Sequence, residues 1–253
     1  MSVFASLGVL VPWLLATLRL LPVTLLLPVF GGRTLPSNAR IPLIAVLAWG
    51  LTAGVRPSHV GPVGWSLMSA SIREVSIGLL IALVLSTPFF AIEQAGRLID
   101  TLRGSSTELT TLDGQGRASA LSELLRWTFV AVFLGSGGLR AVLAVLAQSF
   151  VRWPLDAVAE FAVSPSQLGV VARFSAESLA ATLTLASLGV MSLLAVEVAF
   201  ALAARLSPAL GQGGAALPAK LLAPLAALWL GLDLVLSGAL SLTRHALSAA
   251  AGL

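Results

Sequence analysis

Long apolar stretches separated by short polar breaks make up most of the chain, and one polar interval, Ile92 to Trp127, stands apart from them. Val9 to Phe30 is apolar and long enough to cross a bilayer, which takes about 20 residues. Pro12, Pro22 and Pro28 interrupt it and predict a kinked or broken helix. Ile41 to Val55 and Val60 to Ile72 are short for spans, and Arg73-Glu74 divides the second from Val75 to Ile92. Such pieces predict helical hairpins or re-entrant segments packed on other protein. Thr128 to Val151 is a further apolar helix, broken at Gly135-Ser136-Gly137-Gly138, and Arg152 to Gln167 reads as a mixed loop. Arg173 and Glu177, four residues apart, open the run Ser178 to Ala204, with Glu197 buried inside it. Arg205 to Lys220 breaks the pattern with Pro208, three glycines and Pro218, and Leu221 to Thr243 is the last apolar run. No heptad or fixed-period repeat occurs, so residues 1–253 read as one membrane-embedded domain with a polar interval at 93–127.

That interval begins with helical spacing. Glu93, Arg97 and Asp100 sit at i, i+4 and i+7 with alternating sign, so each can pair with the next along one stripe. Gly96 and Gly104 flank the stripe and would let another backbone approach closely. Gly104 to Gly116 has the Gly, Ser, Thr and Asp content of an irregular loop. The plain alternative is a solvated loop whose charges pair locally.

Composition makes the class explicit. The chain is 57% hydrophobic and 10% charged, with a mean hydropathy of +0.98. A soluble domain carries about 25% charged residues, so this is an all-α integral membrane protein. The net charge of +4 is interleaved with acids and apolar runs, a poor footprint for nucleic acid. Counting basic residues favours an N-terminus outside the cytoplasm, and the first basic residue, Arg19, comes too late for a signal peptide. The chain has no cysteine, and His59 and His245 lie far apart. It has no P-loop, Rossmann glycine pattern, HExxH or G-x-S-x-G, and its acids are scattered singly. Nothing points to an enzyme, a metal or a cofactor. Arg19, Arg140, Glu197 and Asp233 lie within apolar runs, where charge either lines a path or pairs with other charge.

Several segments, taken in order, resemble the type III secretion export-apparatus family whose flagellar member is FliR and whose virulence-system member is SctT. They are Arg73-Glu74-Val75-Ser76-Ile77-Gly78-Leu79-Leu80, Ile92 to Asp100, and Arg103-Gly104. Phe133 to Leu139 resembles the family's Gly-Gly helix break, and Ser149-Phe150-Val151-Arg152-Trp153-Pro154 its Ser-aromatic…Pro ending. Glu197…Arg205-Leu206-Ser207-Pro208 and Leu217-Pro218-Ala219-Lys220 resemble its Glu…Arg-x-x-Pro…Pro-x-Lys pattern. Asp113-Gly114 departs from the usual Asp-Pro, Phe150 from the common Tyr, and Gly211 to Ala215 from a more apolar run.

The resemblance implies a non-enzymatic subunit of a hetero-oligomeric export gate in the bacterial inner membrane, without a cofactor. The partners it implies are SctR/FliP-like, SctS/FliQ-like and SctU/FlhB-like membrane subunits and exported unfolded proteins, with lipid around the assembly. It also implies broken helical hairpins partly buried in a complex, so that hydropathy overcounts the spans. Interface or gating roles then fall to Glu74, Glu93, Gly96, Arg97, Asp100, Arg103 and Gly104, and later to Glu197, Arg205, Pro208, Gly213, Gly214, Pro218 and Lys220. Two other classes remain open: a small-solute or ion secondary transporter, which would show internal repeats, and a scaffold subunit of an unrelated membrane complex.

Overall fold

Leucine and alanine, both strong helix formers, recur throughout the apolar runs, and helix is what nearly all described residues form. The computed structural model describes residues 2–30, 37–52, 65–102, 109–110, 117–118, 120–155, 165–206 and 216–252. Its helices are α1 (Ser2–Leu26), α2 (Ser37–Thr52), α3 (Trp65–Leu102), α4 (Ala120–Gly135), α5 (Gly138–Arg152), α6 (Pro165–Leu206), α7 (Ala216–Leu230) and α8 (Leu232–Gly252). A single 3-10 turn covers Pro28–Phe30.

Several boundaries differ from those the sequence suggests. α1 runs through Pro12 and Pro22 without ending, because each proline removes only one intrahelical bond and good helix formers flank both. The break comes at Leu27, before Pro28. α3 is one helix of 38 residues and passes straight through Arg73-Glu74. These charges do not divide it because both are bonded within the fold. α6 starts at Pro165, well before Ser178, with proline in the first turn where its missing N–H costs little. The last apolar run is split at Gly231, which joins α7 to α8, and Asp233 lies in the first turn of α8 instead of mid-helix.

The Gly135–Gly138 break stands as expected. α4 ends at Gly135, and Gly137 has φ of 80°, a left-handed conformation that glycine adopts without cost. In the polar interval, Leu109–Thr110 pairs antiparallel with Arg117–Ala118, in register Leu109↔Ala118 and Thr110↔Arg117. Part of the expected irregular loop is therefore a short ladder; residues 103–108 and 111–116 lie outside the described residues.

The chain gathers into two compact units. The first comprises Met1–Thr87, Leu134–Ser175 and Thr243–Leu253. In it α1 packs on α2, with Trp13 Nε1 donating to the Ala45 carbonyl at 3.0 Å, and Leu15, Leu20, Ile77, Ile81 and Leu146 are buried. The second comprises Pro88–Phe133 and Ala176–Leu242. Its core includes three phenylalanines: the Phe89 ring meets Phe129 and Phe133 edge-on at 5.0 and 5.1 Å between centroids.

Among the described residues α3 and α6 are each long and apolar enough to cross a membrane, and up to four spans result if α4–α5 and α7–α8 each count as one bent span. Helices of 38 and 42 residues rise about 57 and 63 Å, roughly twice the ~30 Å hydrocarbon core. The apolar window of α3 is 67% buried inside the chain and that of α6 only 22%, so α6 leaves most of its surface free.

Candidate functional site

The most strongly built polar site lies in the first unit, around Glu74. Gly78, one turn on from Glu74, meets the α1 backbone directly: a Cβ there would lie 2.1 Å from the Arg19 carbonyl oxygen. That contact brings Arg19 onto Glu74, and its Nε donates to Oε2 at 2.6 Å. Arg73 donates to the other carboxylate oxygen, from Nε at 3.1 Å and from Nη2 at 2.8 Å. Arg19 and Glu74 are fully inaccessible and Arg73 nearly so.

Both guanidiniums also reach the end of α5. Arg19 Nη1 donates to the Ser149 carbonyl at 2.8 Å and to Ser149 Oγ at 3.3 Å, and Nη2 donates to the Trp153 carbonyl at 2.8 Å. Arg73 Nη2 donates to the Pro154 carbonyl at 2.7 Å. The Phe150 ring lies under the Arg19 guanidinium at 4.3 Å. A helix C-terminus carries the equivalent of about −0.5 charge and unpaired carbonyls, so the end of α5 is a suitable place for guanidinium donors. The Ser149 to Pro154 motif is thus the part of α5 that receives both arginines. Of this group only Glu74 stands out as a site residue in the sequence; Arg19 reads there as a charge that lines a path or pairs with other charge, and the fold shows the pairing, while Arg73-Glu74 reads as a divider.

The second cluster lies in the second unit, where the polar interval begins. Arg97 pairs with Glu93, as the spacing predicts. Asp100 does not join that stripe through Arg97: its Oδ2 accepts the backbone N–H of Leu121 at 2.9 Å, at the start of α4. A buried acid satisfies an otherwise unpaired N–H and meets the positive end of the helix dipole. Gly96 makes this docking possible, since a Cβ there would lie 2.6 Å from Ser122 Cα and 2.8 Å from Ser122 N. On α4 itself, Glu123 accepts from Arg126 at 2.9 Å and from Trp127 Nε1 at 2.9 Å.

The third pairing joins α6 to α7. Lys220 Nζ donates to Glu197 Oε1 at 2.9 Å. Glu197, expected to be buried, is 50% exposed, because so little of α6 is covered by the rest of the chain. Arg205 is exposed in the last turn of α6, and Pro218 is exposed near the start of α7. Arg140 and Asp233 are likewise exposed, so of the four charges Arg19, Arg140, Glu197 and Asp233 only Arg19 is fully enclosed. Arg103, Gly104, Pro208, Gly213 and Gly214 lie outside the described residues. No group of three or more His, Asp or Glu able to hold a metal ion occurs among the described residues.

The family model described as bacterial export proteins, family 1, matches residues 10–246. Yop proteins translocation protein T of Yersinia pestis is 32% identical over 160 residues, 62% of this chain and 60% of that protein. The surface presentation of antigens protein SpaR of Salmonella typhimurium is 27% identical over 206 residues, 80% of this chain and 75% of that protein. Secretion system apparatus protein SsaT of the same organism is 33% identical over 97 residues, 38% of this chain and 37% of that protein. The matched stretch therefore spans less than two thirds of the Yersinia protein's length.

Proposed function

The chain belongs to the bacterial export proteins, family 1, and from that membership we propose that it is a non-enzymatic subunit of a type III protein secretion export gate. In this reading it sits as one multi-pass domain in the bacterial inner membrane and helps form a path for unfolded polypeptide. Its partners are SctR/FliP-like, SctS/FliQ-like and SctU/FlhB-like membrane subunits. The observation that carries the reading is the family match across residues 10–246, supported by relatives whose names speak of translocation and a secretion system apparatus. Family membership favours protein export over small-solute transport.

The fold supports the reading in two ways. α6 is apolar yet largely uncovered by its own chain, which suits a subunit whose helices are enclosed by neighbours. An unfolded chain must also pass without tight binding, which suits a lining of small, apolar and weakly polar groups. Contact or gating falls to the Val9–Arg40 kink, the Glu93–Gly116 interval and the Arg205–Lys220 segment, with Glu74 holding the first unit together.

Co-expression tests the assembly. Affinity capture of this chain from membranes should recover the SctR-like and SctS-like subunits in one complex. A monodisperse, protease-resistant monomer recovered in the presence of those subunits contradicts the proposal.

A further inference from the structure

We propose that Arg19, Arg73 and Glu74 form a clasp that seats the end of α5, and that Arg19 is its positioning residue, acting through backbone carbonyls. This inference does not depend on the export reading.

A buried ion network is a poor device for stability alone, since well-packed apolar residues of similar volume usually do as well. What apolar residues cannot do is hold particular carbonyls in particular places. The three carbonyls held here, of Ser149, Trp153 and Pro154, span the last turn of α5 and the residues just past it. The cap residue Trp153 is already non-helical, at φ −121° and ψ 85°, and its N–H still bonds the Ser149 carbonyl. The clasp therefore holds the chain at the point where it leaves the helix, and fixes the direction of exit. Leu155, the next residue, is buried.

Arg19 suits this role by shape. Its planar guanidinium reaches Glu74, the Ser149 carbonyl and hydroxyl, and the Trp153 carbonyl from one side chain, while its face lies on Phe150. An ammonium is a point donor and cannot span those positions. Glu74 keeps both guanidiniums aligned by taking one on each carboxylate oxygen. Gly78 sets the distance, since only a residue without Cβ lets α1 come this close.

The chain has no cysteine, so single engineered thiols report cleanly. Two reporters are used in the full chain in its native membranes: Leu155→Cys beside the clasp, and Ala48→Cys, a fully buried position on α2 in the same unit. Maleimide labelling is measured for each in the parent, Glu74→Gln, Arg19→Lys and the apolar triple Arg19→Met/Arg73→Met/Glu74→Leu. Both thiols should be protected in the parent. In each variant the Leu155→Cys thiol should label at least tenfold faster while the Ala48→Cys thiol stays protected. The apolar triple keeps the test valid if Glu74→Gln, which removes the buried carboxylate charge that both arginines share, fails to fold. Continued protection of the Leu155→Cys thiol in Arg19→Lys or in the triple overturns the proposal, because charge or bulk alone would then suffice. Parallel release of both thiols in every variant overturns it too, since the network would then support the whole unit and position nothing in particular.

Discussion

Asp100 on α3 holds the backbone N–H of Leu121 at 2.9 Å, so an acid on one helix closes the first turn of another. The two residues bracket the middle of the polar interval, 21 positions apart. Whatever the chain between them does, its ends are tied together by this bond and by the approach of Ser122 to Gly96. The interval is thus anchored at its base.

Removing the acid should loosen that base. Asp100→Ala should lower stability by about 0.5–2 kcal/mol, the range for loss of a helix N-cap, and Asp100→Asn by less because it keeps an acceptor. Thermal unfolding of the purified complex followed by tryptophan fluorescence measures both. Equal stability of all three proteins would remove the cap from the account.

Adding a methyl group to Gly96 should cost more than adding one to an open glycine. Gly96→Ala forces a Cβ to within 2.6 Å of backbone and should destabilise by roughly 1–3 kcal/mol. Gly50→Ala, where nothing lies within 4 Å, should be neutral or slightly stabilising because it favours helix. The same unfolding measurement decides, and a reversed order of the two variants would contradict the close approach.

Arg97 separates folding from assembly. Its side chain is 48% exposed, so loss of the pair with Glu93 should change stability by no more than about 1 kcal/mol. If the stripe faces a partner subunit, Arg97→Glu should still sharply reduce recovery of partners on affinity capture. Unchanged stability together with unchanged recovery would make it an ordinary solvated pair.

Much of this organisation is legible from residues alone. The Gly135–Gly138 break, the Glu93–Arg97 pair and the close approach at Gly96 all follow from spacing and side-chain size. The misreadings share a physical cause. Arg73-Glu74 reads as a divider because isolated charges are costly in an apolar run, and only the fold shows that Arg19 and the carbonyls of α5 satisfy them. The same blindness to distant partners hid the role of Asp100 at the start of α4, since Leu121 lies 21 residues away. Glu197 reads as buried because its neighbours are apolar, but those neighbours turn out to be uncovered too. Hydropathy records what a residue is, not whether its own chain covers it.

Glu197 and Lys220 supply a test of that uncovered surface. Single charge reversals, Glu197→Lys or Lys220→Glu, should each place like charges together and reduce recovery of the assembled gate. The double exchange should restore most of it, because the 2.9 Å pairing re-forms with opposite polarity. A double variant no better than either single one would mean that something other than the pairing matters at these positions.

The measurement that bears most directly on the central claim is secretion of a reporter substrate by bacteria from which this chain has been deleted. Type III secretion should be abolished in the deletion strain and restored by the parent chain. General secretion and the levels of unrelated membrane proteins should stay unchanged. Undiminished reporter secretion without the chain, with the rest of the apparatus present, would contradict its role as a subunit of the export gate.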